Sequence, residues 1–161
     1  MALDPTARLS NVMDSWKKYL VDNIYRIEKI DILFDKFSAN PKVRDKSIDR
    51  WISVDFKQME LSKMSTASID IYCATQKDGE WFRLAQLRDT VMGHLTIDPD
   101  DAPTDGIKRI PFYKSMPGGS SNWTLLSNML ITEILESDQM ETGTDTKFKI
   151  LTIVYKFASK V

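Results

Sequence analysis

Hydrophobic and polar residues alternate along 68–75, in the middle of the chain. Ile69, Ile71 and Cys73 occupy every second position, which is the period of a strand with one buried face. The Asp-Gly pair at 78–79 then favours a turn, because Asp bonds nearby backbone groups and Gly tolerates positive φ. This stretch is therefore predicted to be a strand that ends in a tight turn.

The apolar period changes to that of a helix from about residue 80. Apolar residues then recur every three or four positions and form one stripe of a helix, at Leu84, Leu87, Val91 and Leu95. Together with Ile69 and Ile71 of the preceding strand, these four residues are the predicted core. Nothing in this strand, turn and helix is chemically reactive, so the unit is predicted to be scaffold.

Another helix and several strands are predicted elsewhere. The N-terminal helix begins at Asp4-Pro5, where Asp is a good N-cap and Pro suits the first helical position, and it runs to about Asp22. The predicted strands are 30–34, 51–61 (paired with 68–75), 107–114 (an edge strand because of Pro111), 128–137 and 147–157. The segment 123–135 is apolar at both helical and strand spacings. Its interpretation as a strand rests on the hairpin connection expected around Gly143.

The final predicted strand is apolar on both faces. One face comprises Phe148, Ile150 and Val154, and the other comprises Leu151, Ile153, Tyr155 and Phe157. Two helices on the same side can cover only one face of a sheet of about five or six strands. Either one helix lies on each side of the sheet, or a neighbouring subunit covers the second face. In the second arrangement, Leu151, Ile153 and Tyr155 are candidates for a subunit interface.

Length and composition are those of an ordinary globular protein. The 161 residues predict a single domain, 1–161, and the chain is 42% hydrophobic and 28% charged. The net charge is −1, so no global field favours nucleic acid or a membrane surface. The single cysteine excludes an internal disulfide. Neither a signal peptide nor a transmembrane run is expected.

Few residues of the chain could carry chemistry, and none of them has the partners that a reaction or a metal site needs. His94 has no partners at catalytic or metal-binding spacing, and it is predicted to be a solvated or C-terminal-turn histidine. Cys73 shares the apolar face of its strand and is predicted to be a small core residue. The aspartates of 98–105 fail the calcium-loop pattern, because Pro103 stands where that loop needs Gly and Arg109 where it needs Glu. No catalytic, metal or cofactor site is predicted, and the chain is predicted not to be an enzyme.

Four parts of the chain together carry a resemblance to a known family. They are the N-terminal helix, the strand and turn of 68–79, the helix of 83–95 and the closing strand of 150–155. In these parts the chain resembles the tail terminator (tail completion) proteins of long-tailed bacteriophages. The resemblance covers most of the chain and consists of packing patterns, whereas loops 38–50 and 96–122 match no pattern of the family.

The resemblance implies an α+β subunit with two main helices packed on a mixed, largely antiparallel sheet. It implies a hexameric ring without a cofactor that caps the tail tube, ends its polymerisation and joins the tail to the head-completion or neck protein. The expected location is the virion tail, after assembly in the host cytoplasm. Non-specific proximity to DNA in the ring is expected, and contact with a membrane is not. The alternatives are another phage neck or tail-tube ring protein, or a small-ligand-binding or enzymatic α+β domain.

Two loops of opposite charge are further candidates for the contact between subunits. The basic loop carries Lys42, Arg44, Lys46 and Arg50, and the acidic loop carries Asp98, Asp100, Asp101 and Asp105. A closed ring uses two different, complementary surfaces of each subunit, and opposite charges can orient such a contact. The alternatives are that both loops are merely solvated, or that the basic loop binds DNA phosphates.

Overall fold

The computed structural model has a long β-sheet as its largest element. The structure describes residues 9–34, 37, 42–43, 46–47, 49–60, 62, 64–96, 108–114, 124–142 and 145–158. The described strands are β1 (Asp31–Leu33), β2 (Lys42–Val43), β3 (Lys46–Ser47), β4 (Arg50–Glu60), β5 (Met64–Gln76), β6 (Arg109–Lys114), β7 (Thr124–Glu136), β8 (Met140–Glu141) and β9 (Thr146–Ala158). The described helices are α1 (Leu9–Leu20), a π-helical turn (Val21–Tyr25), α2 (Arg26–Glu28) and α3 (Phe82–Leu95). The fold is α+β, as the sequence predicts.

The strands of the main sheet lie in the order β1-β4-β5-β9-β7-β6, and β8 adds a short pairing to β9. β1 runs parallel to β4, and the other pairs are antiparallel. The two central strands, β5 and β9, pair along their full length from Met64 opposite Ala158 to Gln76 opposite Thr146. β2 and β3 form a separate two-stranded hairpin. Pro111 lies in the edge strand β6, where its missing N–H need not interrupt a ladder on both sides.

The boundaries of several elements differ from those expected from the sequence; β5, for example, begins at Met64 rather than at Ser68. The first helix does not end near Asp22 but continues through the π-helical turn to Glu28, where Lys29 adopts a left-handed conformation with φ 58°. The ambiguous segment is a strand, although β7 begins at Thr124, earlier than predicted. This segment is a strand because it pairs with both β6 and β9. Its periodicity alone could not distinguish a strand from a helix.

The long helices α1 and α3 pack on the same face of the sheet. Trp16 of α1 contacts the ring of Tyr155 edge-on, with 5.1 Å between ring centroids. The apolar stripe of α3 joins the same buried cluster as the inward side chains of β5 and β9. The predicted core residues Leu84, Leu87, Val91, Leu95, Ile69 and Ile71 are all buried there. The arrangement with one helix on each side of the sheet is therefore wrong.

The proposed interface residues of β9 lie in this core. Leu151, Ile153 and Tyr155 are at most 1% exposed, so their assignment to a subunit interface is wrong. The register explains the error, because Ile153 pairs with Ile69 and Leu151 with Ile71, and these partners lie beneath α3. The alternation along β9 separated its two faces, but it did not indicate which one the helices cover.

Candidate assembly surface

We call the side of the main sheet opposite the helices the open face. Antiparallel partners share a face, so the register assigns its central residues, which are Asp55 of β4, Asp70 and Tyr72 of β5, Phe148, Ile150, Thr152 and Val154 of β9, and Leu135 of β7. Ile150 and Val154 are half-buried, and Leu135 is 52% exposed. This face therefore keeps apolar surface that no described helix covers.

One end of the open face carries a cluster of aromatic rings. Phe37 stacks on Tyr72 with ring centroids 5.1 Å apart and lies 4.7 Å from Phe148. Trp51 and Ala74 are fully buried beneath this cluster, in a small apolar group separate from the main core. The chain after β1 therefore places Phe37 on the open face.

The centre of the open face is charged. Lys57 Nζ lies 2.6 Å from a carboxylate oxygen of Asp55 and 3.8 Å from one of Asp70. The hydroxyl of Thr152 donates to the other oxygen of Asp70 over 2.7 Å. The hydrogen bond to Asp55 raises the pKa of Lys57, so this lysine is charged at neutral pH. A partner on this face would therefore meet a mixed surface of apolar and paired charged groups.

Beyond the charged centre, the open face has a shallow depression of about 220 Å³. It is lined by Gln58, Glu60, Thr66, Ala67, Ser68 and Val154. The pairing of β4 with β5 is irregular between Phe56 and Met59, next to this depression. A bulge bends the strand locally and leaves space beside the small residues of β5.

The helix side of the sheet holds a network of ions. The Arg88 guanidinium of α3 forms a bidentate pair with Glu136 of β7, and Lys149 Nζ of β9 lies 2.9 Å from the same carboxylate. Hydrogen bonds from Arg88 and Lys149 lower the pKa of Glu136 to about 2. This network ties one helix to two strands, so its role is structural.

The turn before α3 is organised by Asp78. Its carboxylate accepts hydrogen bonds from the backbone N–H groups of Arg83 and Leu84 and from the hydroxyl of Thr75. Burial alone would raise the pKa of Asp78, but these hydrogen bonds together lower it. Asp78 therefore caps the helix without occupying the N-cap position, where Trp81 has φ 62°.

The residues that could have carried chemistry have structural partners. His94 lies in the last turn of α3, with Nε2 2.9 Å from a carboxylate oxygen of Glu28, and its carbonyl accepts a hydrogen bond from the Tyr19 hydroxyl. Cys73 is buried, and desolvation raises the pKa of its thiol to about 12, so it is not a thiolate nucleophile at neutral pH. Burial likewise raises the pKa of Tyr19 to about 12.

Most of the charged loop residues lie outside the described part of the chain. These are Arg44, Asp98, Asp100, Asp101 and Asp105. The backbone of Lys42 and Lys46 belongs to the β2–β3 hairpin. Arg50 begins β4, is exposed, and donates to the carbonyl of Glu28 over 3.3 Å. The predicted pairing of the basic and acidic loops therefore lies outside the described residues and stays a prediction.

Sequence reasoning missed Phe37 and the aromatic end of the open face. A signal was present at the start of β4, where Trp51 and Ile52 are adjacent and therefore point to opposite sides of the sheet. Both are fully buried. Adjacent buried residues in a strand indicate cover on both faces, and on the open face Phe37 and Leu33 provide part of it.

No group of three or more His, Cys, Asp or Glu side chains in the described ranges could hold a metal ion. None of the described helices is long and apolar enough to cross a membrane.

The fold and its open face define an α+β protein whose helices share one side of a largely antiparallel sheet. A solved structure with this fold, named only by a sequence identifier, superposes with a TM-score of 0.57 at 8% identity. The match covers 93% of this chain and 95% of the other. At this identity it shows the fold alone. No family model matches the chain, and no curated protein matches it either.

Proposed function

We propose that this protein is a structural subunit of a bacteriophage tail, of the tail terminator type. Copies assemble into a ring, with six subunits expected, which caps the tail tube and ends its polymerisation. The ring then offers a surface to the head-completion or neck protein. It needs no cofactor and carries out no reaction.

The observation that carries the proposal is the open face of the sheet. Ile150 and Val154 are half-buried and Leu135 is 52% exposed, beside the paired charges of Lys57 and Asp55. A subunit interface on this face would draw its affinity from the apolar area and its orientation from the charges. On the helical side, the apolar side chains that face the sheet are already in the core.

The mass of the purified protein under native conditions tests assembly. We expect a closed oligomer rather than a monomer, and ring-shaped particles by electron microscopy. Leu135→Asp should shift the protein to smaller species, because the new carboxylate would lie in the apolar part of the contact. Phe82→Asp is the matched control, since Phe82 is 63% exposed at the start of α3, away from the open face.

The tail-capping role needs its own test. Rings added to elongating tail-tube subunits should stop growth and appear at one end of the tubes. A protein that instead stacks on itself into tubes would be a tube component, which is the alternative function. A protein that stays monomeric at high concentration would contradict both.

A further inference from the structure

The helix α1 covers the outer strand β6, and we call the surface that they form together the α1–β6 edge. The backbone N–H of Tyr113 in β6 donates to the hydroxyl of Ser15 in α1 over 2.8 Å. Between the helix and the strand lies a depression of about 200 Å³, lined by Lys18, Tyr19, Asp22, Asn23, Pro111 and Tyr113. A partner at this edge would therefore meet side chains, among them two tyrosines, which are enriched in protein interfaces.

The α1–β6 edge is basic, although the whole chain has a net charge of −1. Lys108 Nζ lies 5.9 Å from the centre of the Tyr19 ring, and Lys18 Nζ lies 5.8 Å from that of Tyr113. Among the described residues, no carboxylate pairs with Lys108. Cations outnumber carboxylates along the edge, with Lys17, Lys18, Lys108, Arg109 and Lys114 against Asp14 and Asp22.

The strands β4, β5, β7 and β9 of the open face have the opposite balance of charge. The register and the contacts of Lys57 place four carboxylates there against two lysines, namely Asp55, Glu60, Asp70 and Glu133 against Lys57 and Lys156. Glu60 and Glu133 are exposed. The exposed Leu135 and the half-buried Ile150 and Val154 lie among these charges. The open face is thus an apolar surface with an excess of acid, whereas the α1–β6 edge is an aromatic surface with an excess of base.

We propose that the α1–β6 edge of one subunit docks on the open face of its neighbour. The occupant of the open face is thus a second copy of this chain, and the inference rests on the proposed ring. Opposite charges would orient the contact, while Tyr19 and Tyr113 would pack on the apolar surface around Leu135. The two surfaces are different, so each subunit uses one toward each neighbour. Such a heterologous contact is the kind that closes a ring.

Charge reversal at the α1–β6 edge tests the contact. Lys108→Glu combined with Lys114→Glu should reduce the native mass from that of the wild-type oligomer to that of a monomer, with the circular dichroism spectrum unchanged. Lys29→Glu combined with Lys77→Glu is the matched control, since it changes the net charge equally at two exposed lysines outside the edge. An oligomer that survived the reversal at Lys108 and Lys114 would overturn the inference.

Mixing two variants tests whether the contact joins different surfaces. Leu135→Asp blocks the open face and keeps the α1–β6 edge, whereas the variant at Lys108 and Lys114 keeps the open face. Each alone should be monomeric, and an equimolar mixture should give a one-to-one dimer of the two variants by native mass spectrometry. The two masses differ, so this mixed dimer is distinguished from a dimer of either variant.

The wild-type mass separates the failure of this contact from the failure of the ring. Two folded monomeric variants that form no mixed dimer, beside an oligomeric wild type, would overturn the docking of edge on face and leave the ring standing. A monomeric wild type would overturn the ring as well. Glu60→Lys combined with Glu133→Lys replaces Leu135→Asp if that variant does not fold, and the same mixed dimer is expected.

Discussion

The Glu136 carboxylate should stabilise the fold in a way that depends on pH. It accepts a bidentate pair from Arg88 and lies 2.9 Å from Lys149 Nζ, with its side chain 27% exposed. These partners lower its pKa from the ordinary 4.5 to about 2. Because the pKa is lower in the folded state, the contribution is complete above about pH 4.5 and is lost as the pH falls toward 2.

The lowered pKa sets the size of the expected effect. A shift of one pKa unit corresponds to about 1.4 kcal/mol, so the full shift would give about 3 kcal/mol. Solvent screening at a partly exposed pair reduces this, and we expect Glu136→Gln to lower the free energy of unfolding by about 1–2 kcal/mol at pH 7. Less than half of that difference should remain by about pH 3.

Urea unfolding followed by circular dichroism at pH 7 and at pH 3 measures the difference. Glu80→Gln is the control, since Glu80 is an exposed glutamate that lies outside the sheet. The reasoning would be refuted if the two variants lost the same stability at pH 7. It would also be refuted if the loss in Glu136→Gln did not shrink in acid.

Three further predictions concern the scaffold. Leu87→Ala should lower the free energy of unfolding by about 2–5 kcal/mol because it empties a buried site, whereas Phe82→Ala, at a residue that is 63% exposed, should change the melting temperature little. Asp78→Ala removes the acceptor for the first turn of α3 and should cost about 1–2 kcal/mol in chemical denaturation, while Asp138→Ala at an exposed turn should be neutral. Cys73 should not react with Ellman's reagent in the folded protein and should react fully in denaturant, because the thiol is buried; fast reaction in the folded state would contradict its placement.

The local pattern of the sequence was sufficient to predict the strand β5, the helix α3 and their buried faces. The alternation around Ile69 and Ile71 and the helical stripe around Leu87 lie in β5 and α3, and their residues are buried as expected. Both signals are strong because one face of each element packs on the other. Periodicity indicates which residues share a face. In this unit the apolar faces of β5 and α3 both pack into the same core, so no choice between two faces was needed.

The sidedness of the sheet could not be obtained in the same way. β9 is apolar on both faces, and alternation is equally compatible with either one facing the helices. The choice depends on long-range pairing, such as Ile69 opposite Ile153, which no local pattern encodes. Phe37 lies on the face that the helices leave open, so its position could not be predicted without knowing which face the helices cover. The sequence therefore did not predict the aromatic end of the open face.

Substitutions at Leu135 and Glu136 should separate effects on assembly from effects on the stability of the subunit. They are neighbours in β7, and their side chains point to opposite faces, because Leu135 pairs with Thr152 and Glu136 with Leu151. Leu135→Asp should therefore reduce the native mass with little effect on subunit unfolding. Glu136→Gln should lower the stability and leave the oligomer intact at pH 7, because its ion network lies on the helix side. If Leu135→Asp kept the oligomer and lost stability instead, the open face would not be the contact between subunits.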